Sequence, residues 1–362
     1  MYMTKYKIAS VSELACQPME AGDKYSDVNA DVETYSNDTS TENELEHLTT
    51  DECAFILPAK GNEDPIAYGS ECCTALPVYN VSQDKQPYEL AYSRKEFGSF
   101  FLKGCKWSRE GSQLLTCADD KRIRVFSLPQ QFYTGDFSQA IPEMNPSVTV
   151  KEGGTIYDYA WNPLMDREDA CTCTFLTSAQ LTPIHLWDSV VGELKSSYKI
   201  VNQMDEIDTA YSVAFTPDGS FIFAGSTKQI SIFDAAQPGK QLESFKTHKK
   251  RQAGQIGIIS CFDFFNQTFA AGSYSKTIGI YDQRNNKQTM ILDGHSGGVT
   301  HIKYSPDGNL LYSGARKDNE LLVWDMRTPG SILAVLQRNV QTNQRMYFDL
   351  DPSGSWLCYN CH

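Results

Sequence analysis

A chain of 362 residues is long enough to bury a large core, and a formal net charge of −13 argues at first against an anionic partner. The charge is unevenly placed, however: residues 1–90 hold 5 lysines, no arginine and 17 acidic residues, whereas residues 91–362 hold 27 basic and 28 acidic ones. No apolar run approaches the ~18 residues that span a bilayer, and no basic, apolar, small-residue order marks a secretory start. Eleven cysteines, an odd number without a repeated framework, point to free thiols in a reducing compartment. A soluble intracellular protein is expected, with no membrane partner.

Residues 1–85 are expected to be a disordered acidic N-terminal region, because the stretch Asp23–Glu52 is polar, acidic and without apolar periodicity. Residues 86–362 form the folded domain, and Tyr88–Tyr92 is a candidate strand for closing it. From Phe101 a unit recurs. It has an inner strand ending in an aromatic, a polar turn, a short apolar strand, a second turn, and a third strand ending near Trp-Asp. The units are Phe101–Ser127, Thr155–Asp188, Ala210–Asp234, Gly257–Asp282 and Gly294–Arg327, with a sixth opening at Met346. The anchoring aromatics are read as Trp107, Trp161, Phe215, Phe264, Tyr304 and Phe348.

The fifth unit states the pattern most fully. Ser305-Pro306-Asp307-Gly308 is a turn in which proline presets φ and glycine accepts a positive one. Gly294-His295 near the start and Trp324-Asp325 at the end are the signature of one blade of a β-propeller. His295, Ser313, Asp318 and Trp324 are expected to form a buried chain of hydrogen bonds inside that blade. The fold expected is therefore all-β: a WD-repeat propeller of five complete blades plus the start of a sixth, behind the acidic leader. As the sixth unit stops after its second strand, the ring is expected to be left open at one edge, as in a truncated chain.

Catalytic patterns are absent: the sequence has no phosphate-cradling glycine loop, no G-x-S-x-G and no H-E-x-x-H. His295 beside Asp and Ser is explained by the repeat. The ending Cys358-Tyr-Asn-Cys361-His362 matches the haem-attachment pattern, but it falls in a propeller strand with no secretory start, so the cysteines read as plain thiols. Neither an enzyme nor a metal, cofactor or small-molecule substrate is expected.

Charge placement suggests binding. In a propeller blade the turn between the second and third strands lies on the same face as the linker to the next blade. On that face fall Lys121, Arg122, Lys228, Lys246, the run Lys249-Lys250-Arg251, Lys276, Arg316, Lys317 and Arg345, while Asp205, Glu206 and Asp208 cluster between units two and three. Such a basic sector suits a phosphate backbone, with arginine better able than lysine to grip it or stack on bases. The candidate RNA-binding residues are Lys249, Lys250, Arg251, Lys276, Arg316, Lys317 and Arg345. On the opposite face, Trp324-Asp325-Met326-Arg327 has the W-D-x-R form often carried by substrate receptors of cullin-RING ubiquitin ligases, and Tyr281-Asp282-Gln283-Arg284 echoes it with tyrosine in place of tryptophan. Arg327 and Arg284 are therefore candidate protein-partner residues in an alternative, protein-only scaffold.

Several segments outside the repeat consensus, among them GARKDNELLVWDMR and TNQRMYFDLDPSG, give residues 94–357 a resemblance to the telomerase Cajal body protein family. That resemblance implies a non-catalytic RNA-binding scaffold for small guide RNAs, the H/ACA-type Cajal body RNAs and telomerase RNA. It implies delivery of their ribonucleoproteins to Cajal bodies in support of telomere maintenance. H/ACA ribonucleoprotein proteins, the telomerase ribonucleoprotein and other Cajal body proteins are then the expected partners, and the nucleus, with some cytoplasmic protein, the expected location. The resemblance has two departures: the family's propeller has further strands where this chain ends, and its leader is proline-rich rather than acidic.

Overall fold

Six twisted sheets are arranged as the blades of a propeller in the computed structural model, which describes residues 5–10, 100–134, 144–201, 204, 206–248, 254–328 and 330–361. Blade one is built from Leu102–Trp107, Gln113–Ala118, Arg122–Ser127 and Val148–Lys151, and blade two from Ile156–Trp161, Thr174–Ala179, Ile184–Asp188 and Leu194–Lys199. Ser212–Phe215, Phe221–Ser226, Gln229–Asp234 and Glu243–Lys246 form blade three. Ile259–Phe265, Thr268–Ser273, Thr277–Asp282 and Lys287–Asp293 form blade four, and Val299–Tyr304, Leu310–Ala315, Glu320–Asp325 and Ser331–Gln337 blade five. Within each blade, consecutive strands pair antiparallel.

The middle strands read as near-continuous small and apolar runs, such as Gln113–Ala118 and Leu310–Ala315, because both faces of each sheet are covered by neighbouring blades. Every interface from blade one round to blade six has its own apolar cluster. Ile278, Ile280, Val299, Ile302, Leu311 and Trp324 pack between blades four and five, and Tyr312, Leu321, Val323, Phe348, Leu357 and Tyr359 between five and six. The Ser305–Gly308 turn has the conformation its residues predict: Gly308 sits at φ 71°, and its N–H donates to the Ser305 carbonyl at 2.9 Å.

Blade six departs from the expectation of an open edge. Its strands Phe348–Leu350 and Trp356–Cys361 are joined by Lys5–Ser10, which pairs antiparallel with the whole of Trp356–Cys361 from Lys5↔Cys361 to Ser10↔Trp356. Residues 5–10 are therefore a strand and not part of an unstructured 1–85 leader. The rest of that leader, and the Tyr88–Tyr92 strand, lie outside the described residues. The anchor of blade six also shifts. Leu350, opposite Leu357, occupies the place that Tyr304, opposite Leu311, has in blade five, so the aromatic Phe348 lies two residues early on the same face. The period of two that places side chains on one face made the two positions indistinguishable in sequence.

Polar contacts stitch the inner strands into a ring. The Trp161 indole donates to the Lys106 carbonyl (blades two to one, 2.8 Å) and the Ser212 hydroxyl to the Ile259 carbonyl (three to four, 2.8 Å). The Ser260 hydroxyl donates to the Val299 carbonyl (four to five, 2.5 Å), and His301 Nε2 to the Phe348 carbonyl (five to six, 3.1 Å). Between six and one, Tyr347 lies so close to Gly104 that a Cβ there would come within 2.5 Å of the ring. The ammonium of Lys106 stands 5.8 Å from the centre of the Tyr347 ring.

Candidate nucleic-acid interface

The network expected in blade five is present. The Trp324 indole N–H donates to Ser313 Oγ (2.7 Å), Ser313 lies 2.7 Å from His295 Nε2, and His295 Nδ1 lies 2.9 Å from Asp318 Oδ2. With Trp324 donating to Ser313, the chain runs one way, to an Nδ1–H imidazole that donates to the carboxylate. Burial works to raise the Asp318 carboxyl, but the His295 hydrogen bond and the Glu320 and Ser296 N–H groups outweigh it and hold it below the usual range. Blade two builds an equivalent that the sequence did not announce. Glu152 takes the linker position and accepts from Thr177, the Trp187 indole (3.1 Å) and His185 Nδ1 (2.9 Å). In both sets the groups satisfy one another, with His295, Ser313, Asp318, Trp324, Glu152 and Thr177 buried and His185 and Trp187 half-buried.

The turns between second and third strands define one face of the ring, and their backbones hydrogen-bond to the linkers that arrive there. Lys121 O accepts from Glu152, Lys228 N donates to Gly257 O, Tyr274 N to Ile258 O, and Arg316 N to Gly298 O. In all five complete blades a residue in this turn has positive φ: Lys121 (62°), Leu181 (55°), Lys228 (61°), Lys276 (69°) and Lys317 (50°). This left-handed conformation is disfavoured for a residue with a Cβ. All five side chains are exposed, so four ammonium groups and one leucine ring the face at equivalent stations.

Aromatic rings stand beside these turns and linkers. Tyr157 and Tyr211 pair at 5.0 Å between centroids, and the Arg316 guanidinium lies 4.0 Å above the Tyr274 ring. Lys276 lies two residues after Tyr274 in the turn of blade four, and Lys317 follows Arg316 in the turn of blade five; Lys228 is in the equivalent turn of blade three. Lys249, Lys250 and Arg251 lie outside the described residues.

Arg345 is placed differently. It is not a free loop cation: its Nη1 donates to Asp158 Oδ1 at 2.9 Å and its Nη2 to the Ser260 carbonyl at 2.5 Å. Asp158 is the hub of the ring, accepting also from Lys106 Nζ (3.1 Å) and the Val213 N–H (3.2 Å). Burial alone would raise the Asp158 carboxyl, but the Arg345 and Lys106 charges and the Val213 N–H hold it below the usual carboxylate range. Burial likewise works against the Arg345 charge, and Asp158 reverses the balance. Blades one, two, three and four therefore meet through one carboxylate and one guanidinium.

On the opposite face Arg327 and Arg284 are exposed, and each folds back on the aspartate of its own motif. Arg327 Nε and Nη2 donate to the two oxygens of Asp325, both at 2.9 Å, and Arg284 grips Asp282 in the same way at 3.0 and 2.8 Å. The fork depresses the Asp282 carboxyl to about 2. Among the described residues no group of His, Cys, Asp and Glu is placed to hold a metal, and no helix is long and apolar enough to cross a membrane.

The repeated four-stranded blades and the Trp-Asp network define a WD-repeat β-propeller. Comparison with known proteins agrees: the model for the WD domain, G-beta repeat, matches residues 96–127, 205–234 and 286–325. Over 284 residues the chain is 44% identical to Telomerase Cajal body protein 1 of Mesocricetus auratus, an alignment covering 77% of this chain and 52% of that relative. The corresponding human protein is 43% identical over 285 residues, at 77% and 52% coverage, and the Drosophila melanogaster homolog 36% identical over 266 residues, at 71% and 48%. By this homology the propeller belongs to the telomerase Cajal body protein family, and the chain spans about half the length of the curated relatives it matches.

Proposed function

We propose that the chain is a non-catalytic scaffold that binds an unpaired segment of small guide RNAs, of the H/ACA type and telomerase RNA, and directs their ribonucleoproteins to nuclear Cajal bodies. The observation that supports the reading is the Arg316 guanidinium 4.0 Å over the Tyr274 ring, with Lys276 and Lys317 exposed in the same two turns. Exposed cations neutralise phosphates and an aromatic platform accepts bases, the combination that holds single strands. The names of the relatives, which place them with telomerase and the Cajal body, favour this RNA class over others. H/ACA proteins, telomerase and other Cajal body components are the partners it implies, met through the bound ribonucleoprotein.

Crosslinking the native protein in cells, purifying it and sequencing its RNA tests this reading. Enrichment of two-hairpin guide RNAs, crosslinked at a terminal loop and lost on reversing Lys249, Lys250, Arg251, Arg316 and Lys317 to acids, is the expected result. A background RNA profile would overturn it. Loss of a protein partner on Arg327→Ala, with RNA irrelevant, would instead move the function to the opposite face and to a protein-only scaffold such as a ligase receptor.

A further inference from the structure

We infer that the Tyr274–Arg316 stack is the seat of a single unpaired nucleobase, flanked by Lys276 and Lys317 on the neighbouring phosphates; this deepens the RNA-binding reading and rests on it. The arrangement is built rather than incidental. Tyr274 follows the second strand of blade four and Arg316 that of blade five, so the stack bridges two blades. The linker into blade five passes beside it as Gly297-Gly298. A Cβ on Gly297 would lie 2.0 Å from the Arg316 carbonyl oxygen. One on Gly298 would lie 2.9 Å from Tyr274 Cα and 3.2 Å from Arg316 Nε. No larger residue fits at Gly297 without displacing the turn that carries Arg316.

The guanidinium has an unusual assignment in this molecule. Arg284 and Arg327 spend their forks on carboxylates, Arg345 divides its fork between Asp158 and the Ser260 carbonyl, and Arg124 donates to Asp120. Among the described residues no carboxylate or carbonyl accepts from the Arg316 side chain, whose one described partner is the Tyr274 ring. A half-buried guanidinium held 4.0 Å over a tyrosine ring and, among the described residues, bound to no carboxylate has edge donors and a planar face to offer a ligand. A base stacked on it gains the dispersion of a planar platform, and the edge N–H groups remain for a phosphate or a base acceptor. Lys276 and Lys317, both exposed and both at positive φ, flank the stack in the same two turns.

The test compares binding of a short single-stranded RNA, and of the same ribose-phosphate backbone lacking its bases, to the full chain and its variants. Arg316→Lys keeps the charge and removes the plane; Lys317→Asn removes a charge at a position where asparagine tolerates positive φ. Wild type is expected to prefer the RNA over the abasic backbone. Arg316→Lys should weaken RNA binding about tenfold, with an unchanged salt slope and an unchanged melting temperature. Lys317→Asn should flatten the salt slope by about one unit. Equal binding of both probes by wild type, with Arg316→Lys neutral, would overturn the base seat and leave RNA binding as phosphate contact alone. Failure of wild type to bind either probe would overturn the RNA reading and the base seat together.

Discussion

Arg345 and Asp158 make the strongest demand on stability. Replacing Arg345 by methionine removes two hydrogen bonds, to Asp158 and to the Ser260 carbonyl, but leaves Asp158 with Lys106 and the Val213 N–H. The charge is not orphaned, so the loss should sit at or just below the lower end of the range for breaking a buried pair, about 2–3 kcal/mol. Asp158→Asn is worse, since Arg345 and Lys106, which both donate to Asp158 Oδ1, then stand close together without a counter-charge, and about 4–5 kcal/mol is expected. The double variant should cost less than the sum by about 1–3 kcal/mol, because the two residues share one interaction. Urea unfolding at neutral pH, followed by tryptophan fluorescence and far-ultraviolet dichroism, gives the cycle. Additivity of the two losses within about 0.5 kcal/mol would refute the hub. So would an Arg345→Met cost that is indistinguishable from zero.

Trp324→Phe keeps the ring in the core but withdraws the indole donor from Ser313, and should cost about 1 kcal/mol beyond the packing change; a Ser313→Ala background in which it costs the same would contradict the chain. His301 is held neutral by burial, its pKa well below the usual value, while it donates to Phe348. The unfolded chain therefore takes up the proton first. Stability contributed by neutral His301 should be full above pH ~6.5 and fall below it by up to about 1.4 kcal/mol per unit, a slope that His301→Gln should remove. Deleting residues 1–10 bares the edge of Trp356–Cys361, and should lower the melting temperature and promote association visible by light scattering, leaving the WD network of blade five intact. An unchanged melt would mean that the edge needs no third strand.

Much of this fold was legible because a propeller repeats locally. Turn residues such as Ser305–Gly308 and the His295–Trp324 chain lie within one blade, where spacing alone decides which groups meet. What escaped the sequence depends on distant partners. Arg345 looks like a loop cation until Asp158, almost two hundred residues earlier, comes into contact with it. A signal did exist: an aspartate inside the otherwise aliphatic and aromatic strand Ile156–Trp161 is costly unless a cation meets it. The Lys5–Ser10 strand was hidden for a similar reason, as its alternation is short and its neighbours in sequence are acidic. The stack of Arg316 on Tyr274 joins two blades, so the sequence singled out Arg316 in its turn but gave no reason to single out Tyr274.

The pairing of Lys5–Ser10 with Trp356–Cys361 also bears on how the molecule is made. The two strands are separated by about 350 residues, so joining them in a free chain would cost roughly 5 kcal/mol of loop-closure entropy. That contact forms cheaply only after the intervening blades have stacked and brought its ends together. At about 5–20 residues per second, Lys5–Ser10 leaves the ribosome tens of seconds before its partner is synthesised. Through that interval the strand has no sheet to join, and when the final blade emerges its edge must find this segment ahead of any neighbouring chain. Closure is therefore a late step, and the stage at which exchange of this strand between molecules competes with correct folding.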